Sequence, residues 1–141
     1  MKSLLTFLAL ALLITSCNSN SDRMNKDTKE NVEISETNFI HTVYFWLKDG
    51  ISIQEKSTFV AGLLDLGQAP SIGKFFIGTP ADTDRDVIDS SYDYAWIVHF
   101  ANAEDQAIYQ TDSIHLDFIE KYNTLWEKVV VYDSELKAKS E

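Results

Sequence analysis

Of the side chains able to move a proton near neutral pH, this chain has three histidines, at positions 41, 99 and 115. His115 precedes Phe118, Ile119 and Tyr122 by three, four and seven residues, which sets it on the apolar side of a helix. Asp133 closes the strand that follows and is a carboxylate the fold can bring to that imidazole. A carboxylate on one ring nitrogen fixes the tautomer and leaves the other nitrogen to take a proton, the arrangement of a general base. The plain alternative is a buried histidine satisfied by the same aspartate. Tyr109 could donate to a substrate carbonyl oxygen, or simply pack its ring and wet its hydroxyl. His41 shares a strand face with Val43 and Phe45, as a core or dimer-edge histidine or as a further member of the catalytic set. Val43, Phe45, Trp96, Val98 and Trp126 line a pocket if there is one and are core otherwise. His99 falls on the strand face opposite Trp96 and Val98, and no chemistry is assigned to it.

Other chemistries find little support. The histidines fit no tight zinc spacing, so no metal site is expected. The acidic loop with Asp82, Asp84, Asp86 and Asp89 lacks the glycine and closing glutamate of an EF-hand, and a solvated surface is the reading it receives. There is no nucleophile elbow and no phosphate-cradling glycine loop, and no cofactor is expected.

The elements that must position these residues can be taken in order. Residues 39–47 (FIHTVYFWL) form a first strand, apolar on both faces. Ser52 caps a helix from about Ile53, with Glu55 completing a capping box. Phe59, Val60, Leu63, Leu64 and Leu66 give that helix its buried stripe, and Gly67 with Pro70 ends it. Residues 71–78 are a second strand, 79–92 an exposed polar loop, and 93–101 a third strand. A short helix opens at Asn102 or Ala103 and runs through Tyr109, and the chain restarts at Thr111-Asp112-Ser113. Residues 113–133 then read as a helix running directly into a strand. Ile114, Phe118, Ile119, Tyr122, Leu125 and Trp126 keep helical spacing, and Val129, Val130, Val131 and Tyr132 are of strand type.

The order β-α-β-β-α-β predicts an α+β fold of ferredoxin-like plan, with helices on one face of a four-stranded antiparallel sheet. Two helices cover one sheet face, which leaves Ile40, Tyr44, Trp46 and Ile97 apolar and exposed on the other. A symmetric homodimer in which two sheets close into a dimeric α+β barrel would cover them.

Of the 141 residues, 45% are hydrophobic and 12% aromatic, enough for one packed domain. A net charge of −10 argues against nucleic acid and anionic membrane surfaces as partners. Met1-Lys2 and the apolar residues 4–14 have the form of an export signal too short to span a bilayer. The signal ends in Leu13-Ile14-Thr15-Ser16-Cys17, which resembles a bacterial lipobox built on the only cysteine of the chain. The expected organisation is a signal peptide at 1–16, a lipidated Cys17 with a flexible polar tether at 17–37, the folded domain at 38–135 and a tail at 136–141. Contact with the membrane runs through the N-terminal lipid alone, on an exported cell-envelope lipoprotein.

Residues FIHTVYFWLKDGIS, the Tyr-Asp-Tyr-Ala strand and the ending IYQTDSIHLDFIEKYNTLWEKVVVYD resemble the stress-responsive A/B barrel (Dabb) family. The resemblance spans nearly the whole domain and implies a dimeric α+β barrel with a small-molecule pocket between sheet and helices. A plant polyketide cyclase of that family offers a closer comparison. By that resemblance His41 stands at a first-strand pocket histidine, Tyr109 and His115 keep the spacing of a catalytic pair, and Asp133 matches the aspartate that orients the catalytic histidine. Trp126-Glu127-Lys128 repeats the tryptophan-containing helix end. Departures accompany the matches. Trp96 replaces another pocket histidine, Asp112-Ser113 replaces a His-Pro pair, and the first helix lacks the tyrosine of a cyclase pocket.

The leading expectation is a lipid-anchored homodimer that binds a small hydrophobic or carbonyl-containing molecule. A cofactor-free cyclase or lyase with His115 as base is the enzymatic alternative. A structural stress-response oligomer whose own side chains fill the pocket is the third.

Overall fold

The computed structural model describes residues 37–137. The expected export signal, Cys17, the expected tether up to residue 36 and the last four residues of the expected tail lie outside this range. The elements are β1 (Phe39–Leu47), α1 (Ile53–Leu66), β2 (Lys74–Gly78), β3 (Tyr94–Phe100), α2 (Ala103–Thr111), α3 (Ser113–Tyr122) and β4 (Trp126–Glu135). The strands form one sheet in the order β2-β3-β1-β4, every neighbouring pair antiparallel. This is the α+β, ferredoxin-like arrangement that the element order predicts.

β1 is central because it is apolar on both faces. Its side chains alternate, with Phe39, His41, Val43, Phe45 and Leu47 buried toward the helices. Ser52 caps α1 as expected: its hydroxyl accepts from the Glu55 amide at 3.2 Å, and the Glu55 carboxylate accepts from the Ser52 amide at 2.8 Å. Phe59, Leu63 and Leu66 then face the core, but Leu64 is 51% exposed. The buried face of α1 is narrower than the apolar stripe suggests, and Gly62 is part of it. The Tyr122 ring of α3 lies where a Cβ on Gly62 would stand, so the two helices meet closely there.

Two boundaries move for tertiary reasons. β2 begins at Lys74 rather than residue 71, since Ile72 and Gly73 donate to Ala69 and His99 carbonyls in the turn that enters the strand. Leu125 and Trp126 leave the helix despite their spacing. α3 ends at Tyr122 with Asn123 as its cap, the Lys48 amide donates to the Leu125 carbonyl at 2.9 Å, and Trp126 pairs with Leu47. The Trp126 ring stacks on Phe118 at 6.0 Å and also packs on Phe45 and Phe59, so pairing and aromatic packing outweigh the local helical preference.

Asp112 separates α2 from α3 by serving both. Its amide donates to the Tyr109 carbonyl and its carboxylate accepts from the Ile114 amide at 2.7 Å. The chain therefore turns between Tyr109 and His115 and presents both toward the sheet. On the far sheet face the 79–92 loop returns at its end. Tyr92 packs edge-on to Tyr44 at 4.7 Å, and the Trp46 indole donates to Ser91 at 2.9 Å. Phe76 and Tyr132 on that face remain exposed.

Candidate active site

Between the sheet and α2–α3 lies a cavity of about 350 Å³. His41, Val43, Phe45, Trp96, Tyr109, His115 and Asp133 all border it. Val98 and Trp126, expected in the same wall, do not. Val98 is fully enclosed in the core of β3, and Trp126 belongs to the Phe45–Phe59–Phe118 aromatic cluster. Sequence reasoning missed Gln106, three residues before Tyr109 in α2, and Gln110, four residues after Gln106. It also missed Val131, which shares a strand face with Asp133 two residues on, and read Leu66 and Phe118 only as core. The first three had a usable signal in their spacing. Leu66 and Phe118 also wall a second cavity of about 320 Å³ between α1 and α3.

The carboxylate does not go to His115. β1 and β4 pair so that His41 and Asp133 are directly opposite, and His41 Nδ1 lies 2.6 Å from Asp133 Oδ1. The imidazole is 5% exposed, whereas the aspartate, on an edge strand, keeps 45% of its side chain in water. A carboxylate can only accept, so Nδ1–H donates and Nε2 is left as the basic nitrogen.

His115 is held by α2 instead: its Nδ1 lies 3.2 Å from the Gln110 carbonyl oxygen, again an acceptor only. Burial pushes the His115 pKa below the usual histidine value, the Gln110 carbonyl opposes this, His41 adds to the lowering and Asp112 resists it. The balance favours neutral imidazole.

Tyr109 stands between the two, its ring 4.5 Å from that of His115 and 6.0 Å from that of His41. It is 1% exposed, and burial raises its phenol pKa far above the ordinary range, with Trp96 pulling slightly the other way. At any working pH it carries its proton. Its oxygen accepts from the Trp96 indole N–H at 3.3 Å. The site thus gathers one hydroxyl donor and two imidazoles around an apolar space, a set suited to holding a carbonyl-type oxygen and moving a neighbouring proton.

An antiparallel sheet in this strand order, with helices on one face and a polar cluster between the layers, defines an α+β pocket protein of ferredoxin-like plan. The chain belongs to the Dabb family, the stress responsive A/B barrel domain, whose family model matches residues 39–136.

Solved structures with the same fold include a Dabb family protein with a ferredoxin-like fold from Mesorhizobium loti. It is 21% identical, covers 73% of this chain and 100% of its own, and superposes with a TM-score of 0.60. A hydroxynitrile lyase from Passiflora edulis is 21% identical over 73% of this chain and 96% of its own, with a TM-score of 0.61. A dimeric ferredoxin-like protein of unknown function from Thermobifida fusca is 16% identical over 71% and 92%, with a TM-score of 0.59. No curated protein matches the chain in sequence.

Proposed function

We propose that this protein is an exported, lipid-anchored homodimer that holds a small, largely apolar molecule carrying a carbonyl-type oxygen. The observation that carries the reading is the cavity of about 350 Å³ in which Val43, Phe45 and Phe118 supply apolar walls and Tyr109, His41 and His115 supply the polar contacts. Such a site orients a compact ligand by a few polar groups and derives its affinity from apolar burial. The dimer is supported by the apolar far face of the sheet and by relatives described as dimeric. The anchor rests on the lipobox-like run ending in Cys17.

The test is an NMR titration of the histidines of the full-length protein with acetylacetone, using His115→Ala and His41→Ala to assign the signals. Movement of both cavity histidines with added compound is the expected result. Histidines that ignore the compound would remove the pocket from the reading. For the anchor, Cys17→Ser should shift the protein from the membrane fraction to the aqueous one. Unchanged fractionation would refute lipidation at that residue.

The 2.6 Å contact between His41 and Asp133 favours a second reading, an acid–base enzyme of the cyclase or lyase kind. In it, His41 Nε2 takes a proton from an O–H group or from a carbon beside a carbonyl. Tyr109 donates a hydrogen bond to the oxygen on which negative charge develops, and the imidazolium returns the proton to the product. His41 takes the role of base that the sequence suggested for His115, because it is the imidazole with a carboxylate partner. Proton exchange at the central carbon of acetylacetone in D2O, lost in His41→Ala, would be its signature.

A further inference from the structure

Tyr109 can serve the cavity as a donor only if something settles which way its hydroxyl points. A phenol oxygen offers one proton and two lone pairs, and a free hydroxyl turns to suit whatever is near. An indole N–H can only donate. The 3.3 Å contact between Trp96 Nε1 and the Tyr109 oxygen therefore has one possible direction. Both side chains are 1% exposed, so water does not compete for the bond.

Trp96 is itself held firmly. It sits in β3 with a paired strand on each side, opposite Val43 of β1 and Ile77 of β2, and its ring packs on Phe75 at 4.9 Å. Among the described residues the Tyr109 hydroxyl makes no second hydrogen bond, although the side chain borders the cavity.

We propose that Trp96 is the positioning residue of this site: by occupying one side of the Tyr109 oxygen it commits the hydroxyl proton to the cavity occupant. The occupant must then bring an acceptor, and the site selects an aldehyde or ketone over a hydrocarbon of the same shape. A bond accepted by a hydroxyl also strengthens the bond it donates, so Trp96 sharpens the preference as well as aiming it. The inference rests on the pocket reading above and deepens it by naming what sets ligand class.

The experiment compares benzaldehyde with styrene, a near-isostere without the oxygen, by calorimetric or NMR titration of the full-length protein. Wild type should prefer benzaldehyde. Trp96→Phe should weaken benzaldehyde roughly three- to ten-fold and leave styrene within about two-fold, the span of one lost neutral hydrogen bond. Tyr109→Phe should remove the same preference, and the double variant should lose no more than Tyr109→Phe alone.

Equal weakening of both compounds in Trp96→Phe would mean that Trp96 only fills space, and the inference would fall while the pocket stood. A preference lost in Tyr109→Phe but kept in Trp96→Phe would overturn the inference in the same way. Neither compound binding to wild type would overturn pocket and inference together. Should Trp96→Phe not fold, benzothienylalanine at position 96 keeps the ring shape and removes only the N–H, with the same outcomes expected.

Discussion

His41 and Asp133 are 92 residues apart in the chain and meet at 2.6 Å because the β1–β4 register sets them opposite each other. The partners differ in exposure. The imidazole is enclosed beside the cavity, while the carboxylate stays half in water on an edge strand. The solvated carboxylate is spared much of the desolvation cost that a fully buried ion pair bears, yet it still dictates the tautomer of a buried ring. Which histidine has the carboxylate partner therefore depends on strand register.

Asp133→Asn should leave the fold intact at a cost of about 1 kcal/mol, the scale of one lost hydrogen bond. Its larger effect should be on the ring. The ¹⁵N shifts of His41 should move from a single tautomer toward a mixture, and any proton-exchange activity should drop by at least ten-fold. An unchanged His41 spectrum would show that the aspartate does not orient it.

The lowered pKa of His115 makes a stability prediction with a definite sign. Its folded pKa lies below the unfolded one, so the unfolded chain takes the proton first as pH falls. Its contribution is complete above the ordinary histidine value near 6.5 and is lost as pH drops through the folded pKa. His99 shifts the same way, mainly through burial with help from Lys74. Denaturant midpoints at pH 7.5 and pH 5 should differ less in His115→Gln than in wild type, with His99→Gln as the control for the second group. A larger difference in His115→Gln would reverse the sign.

Gly62 sets two effects against each other. Helix propensity alone makes Gly62→Ala stabilising by about 1 kcal/mol. The added Cβ would overlap the Tyr122 ring, and forcing an extra carbon into a packed seam costs about 1–3 kcal/mol. The packing cost should win, so the single variant should be less stable. In a Tyr122→Ala background the same change should stabilise. Thermal melts of the four proteins decide it, and a stabilising Gly62→Ala in the native background would show that Tyr122 yields freely.

Ile97 lies on the far face of β3, between Thr42 of β1 and Phe76 of β2. If two such faces close on one another, Ile97→Glu places two carboxylates in an apolar interface, an arrangement that costs several kcal/mol. Sedimentation equilibrium at micromolar concentration should give a dimer for wild type and a monomer for the variant. A wild-type monomer would refute the homodimer.

Much of this molecule is local, and local information is what a sequence carries. The β1 span, the Ser52–Glu55 capping box, the Asp112 break between helices and the core face of Trp96 and Phe100 each depend on residues a few positions apart. Periodicity and capping chemistry are enough to place them. What needed the tertiary structure joins distant residues. Leu125 and Trp126 look helical by spacing, but they belong to the turn and strand that meet Lys48 and Leu47. Leu64 matches its apolar neighbours in type, but α1 turns it away from the face that Phe59, Gly62, Leu63 and Leu66 bury. The same division holds at the site. His41, Tyr109, His115 and Asp133 could be named from residue type, spacing and family resemblance, and all four border one cavity. Their partners could not, because pairing of Asp133 with His41 and of Tyr109 with Trp96 is settled by strand register and helix docking, which no short stretch of sequence encodes.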